Sequence, residues 1–168
     1  MIRVRVALGA AVVAAAITSS GCGGPGFVGR WQTDYRPFLS SAESMAAESS
    51  SWTLTIGADT STQQTIVTRY NPMARTNPGC TATTNIIGVT WNQRPSEGPM
   101  SITFNAATVA QTDRTGCANP ADNMTLTPLT NVTSPIAGDA TWSVMGMALT
   151  LQWREGTVMR MATFLRMN

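Results

Sequence analysis

The stretch DATWSVMGMALTLQWREGTVMRMATFLRMN, residues 139–168, decides how the chain is read. Within it Met147, Leu149, Leu151 and Trp153 alternate with Ala148, Thr150 and Gln152. A side-chain period of two places the first set on one face of a β-strand. Arg154-Glu155-Gly156 then supplies a short turn ending in glycine, which reaches positive φ without steric cost. Residues 157–167 run back as a second strand, where Met159, Met161 and Leu165 oppose Val158 and Phe164. A hairpin alone is marginal in water, so the rest of the chain must supply the sheet that covers it.

The remainder reads in the same way. Residues 26–35 form a first strand, stopped by Arg36-Pro37 because proline donates no N–H. Ser40 and Glu43 have the spacing of a helix capping box, and residues 42–48 read either as two helical turns or as a polar surface loop. Trp52, Leu54 and Ile56 alternate with Thr53 and Thr55 in a strand over 51–57. Further strands are predicted over 64–70, over 81–93 with Ile87, Val89 and Trp91 on one parity, over 100–105 and over 124–129. Residues 71–79, 94–99, 108–122 and 131–139 read as loops. Strands without intervening helices argue for an all-β chain. A small antiparallel β-barrel of about eight strands is preferred, because several strands carry large side chains on both parities. A two-sheet sandwich is the alternative.

Composition narrows the functions. Charged residues make up 12% of the 168, and there is neither lysine nor histidine. Setting aside Arg3 and Arg5 of the leader leaves nine Arg against nine Asp plus Glu, a formal net charge of zero. Nucleic-acid binding requires a basic excess and is set aside. Without histidine the commonest general base is missing, and without lysine so is the usual amine nucleophile. The acidic residues fall mostly in turns with no spacing that suggests a paired-carboxylate site. Asp113 and Asp122 lack a calcium-loop pattern. The expectation is therefore a non-enzymatic protein with no cofactor and no metal.

Residues 1–21 have the parts of an export signal: Arg3 and Arg5, an apolar run from Val6 to Ile17, and a small-residue exit. The apolar run is shorter than the ~20 residues a membrane-spanning helix needs. Cys22 follows at once, then Gly23-Gly24-Pro25-Gly26. This junction resembles a bacterial lipoprotein signal, although Ser19 stands where that family usually has leucine. Plain secretory cleavage would also suit Ser19-Ser20-Gly21. The resemblance implies that Cys22 is acylated and anchors the chain, with 22–26 as a tether and 27–168 as one domain. Gly23, where an aspartate would retain the protein at the inner membrane, implies the outer membrane. Three cysteines in an exported chain leave one over, and acylating Cys22 leaves Cys80 and Cys117 as a disulfide pair. A metal site at two thiolates with no histidine would be unfilled.

Gly29-Arg30-Trp31 resembles the Gly-x-Trp opening of the lipocalins and of lipocalin-like bacterial lipoproteins. Residues 146–166, with a Leu-Thr-Leu strand before a last strand ending in an aromatic residue and an arginine, are similar to the close of that group. The resemblance covers about a quarter of the chain, at its two ends. It implies that Arg166, or less well Arg160, lies over Trp31 and closes the barrel.

Two functions follow. In the first, the barrel encloses a small apolar ligand lined by Trp52, Leu54, Trp91, Phe104, Met147, Leu149 and Met161. That needs an enclosed, mostly apolar cavity of roughly 300 Å³ or more. In the second, the interior is filled by its own side chains. Loops 71–79 and 108–122, pinned by the disulfide, then bind a protein or polymer of the envelope, with small hydrolase-inhibiting periplasmic lipoproteins as an analogy.

Overall fold

The architecture comes from a computed structural model that describes residues 26–105, 109–129 and 134–168. The export signal and Cys22 lie outside the described residues. Ten strands occur in chain order: β1 (Gly29–Asp34), β2 (Ala47–Ile56), β3 (Ser61–Tyr70), β4 (Thr81–Gln93), β5 (Ser101–Phe104), β6 (Val109–Thr115), β7 (Met124–Leu129), β8 (Gly138–Met145), β9 (Ala148–Glu155) and β10 (Val158–Arg166). A short helix, α1 (Ser41–Ala46), precedes β2.

All pairings are antiparallel. The sheet order is β3-β2-β1-β10-β9-β8-β5-β4-β6-β7, and an additional β3–β4 pairing closes β1–β5 and β8–β10 into an eight-stranded barrel. The fold is thus a barrel and not a sandwich. β6 and β7 are two extra strands. β4 is long enough to take two partners along one edge. Its last residues pair with β5, and its first seven pair with β6. β7 then lies outermost on β6.

Several sequence expectations need correction. Residues 109–115 form strand β6 rather than loop, on a polar sequence without alternation. Gly138–Met145 forms strand β8, so the expected loop over 131–139 gives way to strand at its end. Residues 49–51 belong to β2, which begins directly after the helix. That helix is real: the Ser40 hydroxyl accepts from the Glu43 N–H, and the Glu43 carboxylate accepts from the Ser40 N–H.

The parity of β4 also differs. Ile86 is buried and Ile87 is 40% exposed, while Val89 and Trp91 point inward. Gly88 has φ 83°, and two residues of β4 oppose one of β3 between the Thr62–Val89 and Gln64–Ile86 pairs. Such a bulge inserts one residue and reverses which face the strand presents. Even-numbered residues face inward before Gly88, and odd-numbered ones after it.

The core is one cluster that includes Trp31, Trp52, Leu54, Ile86, Phe104, Leu149, Leu151, Trp153 and Phe164. Burying each such side chain is worth about 1.5–3 kcal/mol. Trp52 meets Trp153 and Phe164 edge-on, at 6.1 Å and 5.0 Å between ring centroids. Phe27 closes one end of the barrel against Trp91 and Trp142. The chain also fills its own interior. Residues Ser134 and Ile136, on the way into β8, are buried. The inward-facing Gln64 of β3 donates its amide N–H to Ser134 Oγ at 2.6 Å. Ser134 Oγ in turn donates to the Ile136 carbonyl at 2.5 Å.

Candidate functional site

Strand direction sorts the barrel into two ends. One carries Phe27, the β2–β3, β4–β5 and β8–β9 turns, and the C-terminus. The other carries α1, the 71–79 loop, the β6–β7 turn and the disulfide.

The expected ligand lining splits between inside and outside. Trp52, Leu54, Trp91, Phe104 and Leu149 are inside the wall and packed in the core cluster. Met147 and Met161 are not: they are 56% and 62% exposed. Met147 sits in the turn between β8 and β9. Met161 lies on the outward parity of β10, opposite Gln152, whose side-chain amide donates to its sulfur at 3.5 Å. Methionine is apolar enough to suggest core, and periodicity cannot tell which of two apolar faces turns inward. In β10 the buried face is Ala162 and Phe164.

Trp31 pairs with Arg166 across the β1–β10 ladder. The Arg166 guanidinium carbon is 5.1 Å from the Trp31 ring centroid. Trp31 Nε1 donates to the Phe27 carbonyl at 2.8 Å. Arg160 instead pairs with Glu155 at 2.7 Å.

Cys80 and Cys117 form a disulfide, joining the end of the 71–79 loop to the β6–β7 turn. They pack with Tyr70 in a small cluster separate from the main core. Beside them the barrel end is open. A cleft of about 280 Å³ is lined by the inward faces of β3 and β4, by Thr112 of β6 and by Pro135 below. Tyr35, Phe38, Leu39 and Glu43 complete its rim. Ile66 and Ile86 make its apolar depth, and Thr68, Thr84 and Thr112 its hydroxyl wall. Thr84 and Thr112 hydrogen-bond to each other at 2.9 Å. Burial, then the Glu43 carboxylate, pushes the Tyr35 and Tyr70 phenols above their ordinary value.

Among the described lining residues Glu43 is the acidic one, and its carboxylate is used by the helix cap. On the outer wall, Arg94 forms ion pairs with both Glu97 and Asp139. The Arg94 guanidinium and the Thr103 hydroxyl hold the Asp139 carboxyl below its usual range. Asp113 and Asp122 join no group of three metal-ligating side chains among the described residues. The Tyr35–Phe38–Tyr70 rim was not singled out from sequence. Its signal was present in the aromatic residues on either side of Pro37 and in Tyr70 at the end of a strand.

No protein-family model matches the chain, and neither a characterised protein nor a solved structure matches it.

Proposed function

We propose that the chain is an exported, lipocalin-like lipoprotein, anchored in the outer membrane through Cys22, that works without catalysis as an interaction module of the cell envelope. The observation that carries this reading is the filled interior. Trp52, Leu54, Trp91, Phe104 and Leu149, which would have lined a ligand cavity, sit in the packed core, and Ser134 and Ile136 are buried beside Gln64. An interior in that state leaves the surface to do the binding. The disulfide end is the surface of choice: loop 71–79 and the β6–β7 turn are fastened together there. Native mass spectrometry of protein purified from its own host tests the reading. A bare chain mass plus acyl groups is expected, and a stoichiometric lipid retained inside the barrel would overturn it. Cys22→Ser is expected to release the protein from the membrane fraction.

A second reading, a small apolar ligand, is favoured by the cleft of about 280 Å³ at that same end. Ile66→Trp would fill the cleft from its floor. Loss of ligand on this substitution, with unchanged thermal unfolding, would support the small-molecule reading over the protein-binding one.

A further inference from the structure

The barrel end opposite the disulfide carries an uncovered apolar rim. Met145 is 80% exposed, Met147 56%, Met100 50% and Leu165 64%. They lie on adjoining strands and turns at this end. Met145 pairs with Ala148 across β8–β9, and Ala148 pairs with Leu165 across β9–β10. The Met100 carbonyl accepts from the Trp142 N–H at 3.0 Å. Residues 140–153 hold no charged side chain and 164–168 hold only Arg166, while in the turn before Met100 Arg94 and Glu97 pair with each other. Large apolar side chains left exposed together at one end of a fold point to a contact with an apolar partner.

The chain enters the barrel at the same place. The Arg166 backbone N–H donates to the Met147 carbonyl at 2.8 Å, and its guanidinium donates to the Val28 carbonyl at 3.1 Å. Phe27, fully buried, packs on Trp142 at 4.7 Å between centroids. The path from Cys22 to Phe27 spans at most about 18 Å when fully extended.

From this we infer that the rim of Met100, Met145, Met147 and Leu165 docks into the interface of the lipid bilayer that holds the anchor. The inference rests on the reading of Cys22 as the acylated residue. A barrel on so short a tether cannot leave the bilayer surface, and its entry end is the end nearest the lipid. Methionine side chains adapt to an irregular, fluid surface. Arg166 and Arg30 beside them suit anionic headgroups. The disulfide end, with its cleft, then points away from the membrane. Met161 and Met159 continue the apolar row along the outer wall of β10, farther from the tether.

The test uses the full chain, acylated in a host that processes lipoproteins and reconstituted into phosphatidylethanolamine–phosphatidylglycerol vesicles with brominated acyl chains. Single variants Met145→Cys, Met161→Cys and Met73→Cys carry a fluorophore, with the native disulfide kept oxidised. The expected result is strong loss of emission at position 145, weaker loss at 161 and none at 73, in the far loop. If the protein floats with the vesicles but emission is lost nowhere, or equally at all three positions, the rim proposal is overturned while the anchor stands. If the Cys22 peptide carries no acyl mass and the protein does not float, the anchor fails and the proposal falls with it.

Discussion

The Arg166 guanidinium lies over the Trp31 indole and donates to the Val28 carbonyl, so one side chain holds the last strand to the first. The approach is close. A Cβ on Gly29, where φ is 146°, would come within 3.2 Å of Arg166 Nη2. Glycine at 29 is what leaves the guanidinium its place. Arg166→Ala removes the cation–π contact and the hydrogen bond, and is expected to cost about 1–3 kcal/mol. Guanidinium unfolding followed by tryptophan emission measures it. A change within error would show that the ends are held by the strand ladder alone.

The Cys80–Cys117 bond closes a loop over 37 residues of sequence separation. The chain-entropy model assigns about 4 kcal/mol to a loop of that length. Reduction is therefore expected to lower the unfolding midpoint strongly. The near-ultraviolet tryptophan signal should persist below that midpoint, since the disulfide packs with Tyr70 outside the main core. Urea titrations with and without reductant compare the two.

Gln64 is fully buried, and its Oε1 has no partner among the described residues. Its amide N–H goes to Ser134 Oγ, which also contacts both the carbonyl and the N–H of Ile136. Gln64→Met would remove the orphaned oxygen and leave Ser134 satisfied. It is expected to stabilise the fold by about 1 kcal/mol, by relieving a buried unpaired acceptor. Destabilisation by a similar amount would show that the Gln64–Ser134 bond outweighs the unpaired oxygen.

The pH profile follows from two sets of groups. Hydrogen bonds from Arg36 to Asp34, from Ser61 to Asp59 and from Arg94 to Asp139 lower these carboxyl pKa values in the folded chain. A lowered pKa means that the unfolded state binds protons first. Stability is then full above the unfolded carboxyl range of about 4 and falls as pH drops through the folded values. Burial raises the phenols of Tyr35 and Tyr70. Their contribution is full below the unfolded phenol value of about 10 and is lost as pH rises above it. With no histidine in the chain, a flat plateau between these limits is expected. Melting temperatures across the range check it, and a step between pH 5 and 8 would contradict it.

What the chain discloses in advance depends on how each strand is used. Leu149, Leu151 and Trp153 alternate with polar residues, and that face is indeed inside. The spacing of Ser40 and Glu43 is that of a capping box, but the sequence leaves helix and loop open, and the structure has the helix. Ala140, Trp142 and Val144 alternate with Thr141, Ser143 and Met145, so the period of two is present in β8 as well. β6 carried none: it extends β4 beyond the closed barrel, and its residues Gln111–Thr115 alternate nothing. The exchange of Ile86 for Ile87 depends on one glycine, whose positive φ is invisible to counting by twos. For Met147 and Met161 the difficulty is chemical. Methionine is apolar wherever it sits, and only closure of the sheet decides which side of the wall is wet.

The segment carrying Ser134 and Ile136 gives the barrel cargo that is covalently its own. A vessel that stores part of its own string cannot be emptied without being unstrung. A change in the bulk of Ile136 therefore acts on the strands packed around it, and new specificity has to be written on the rims.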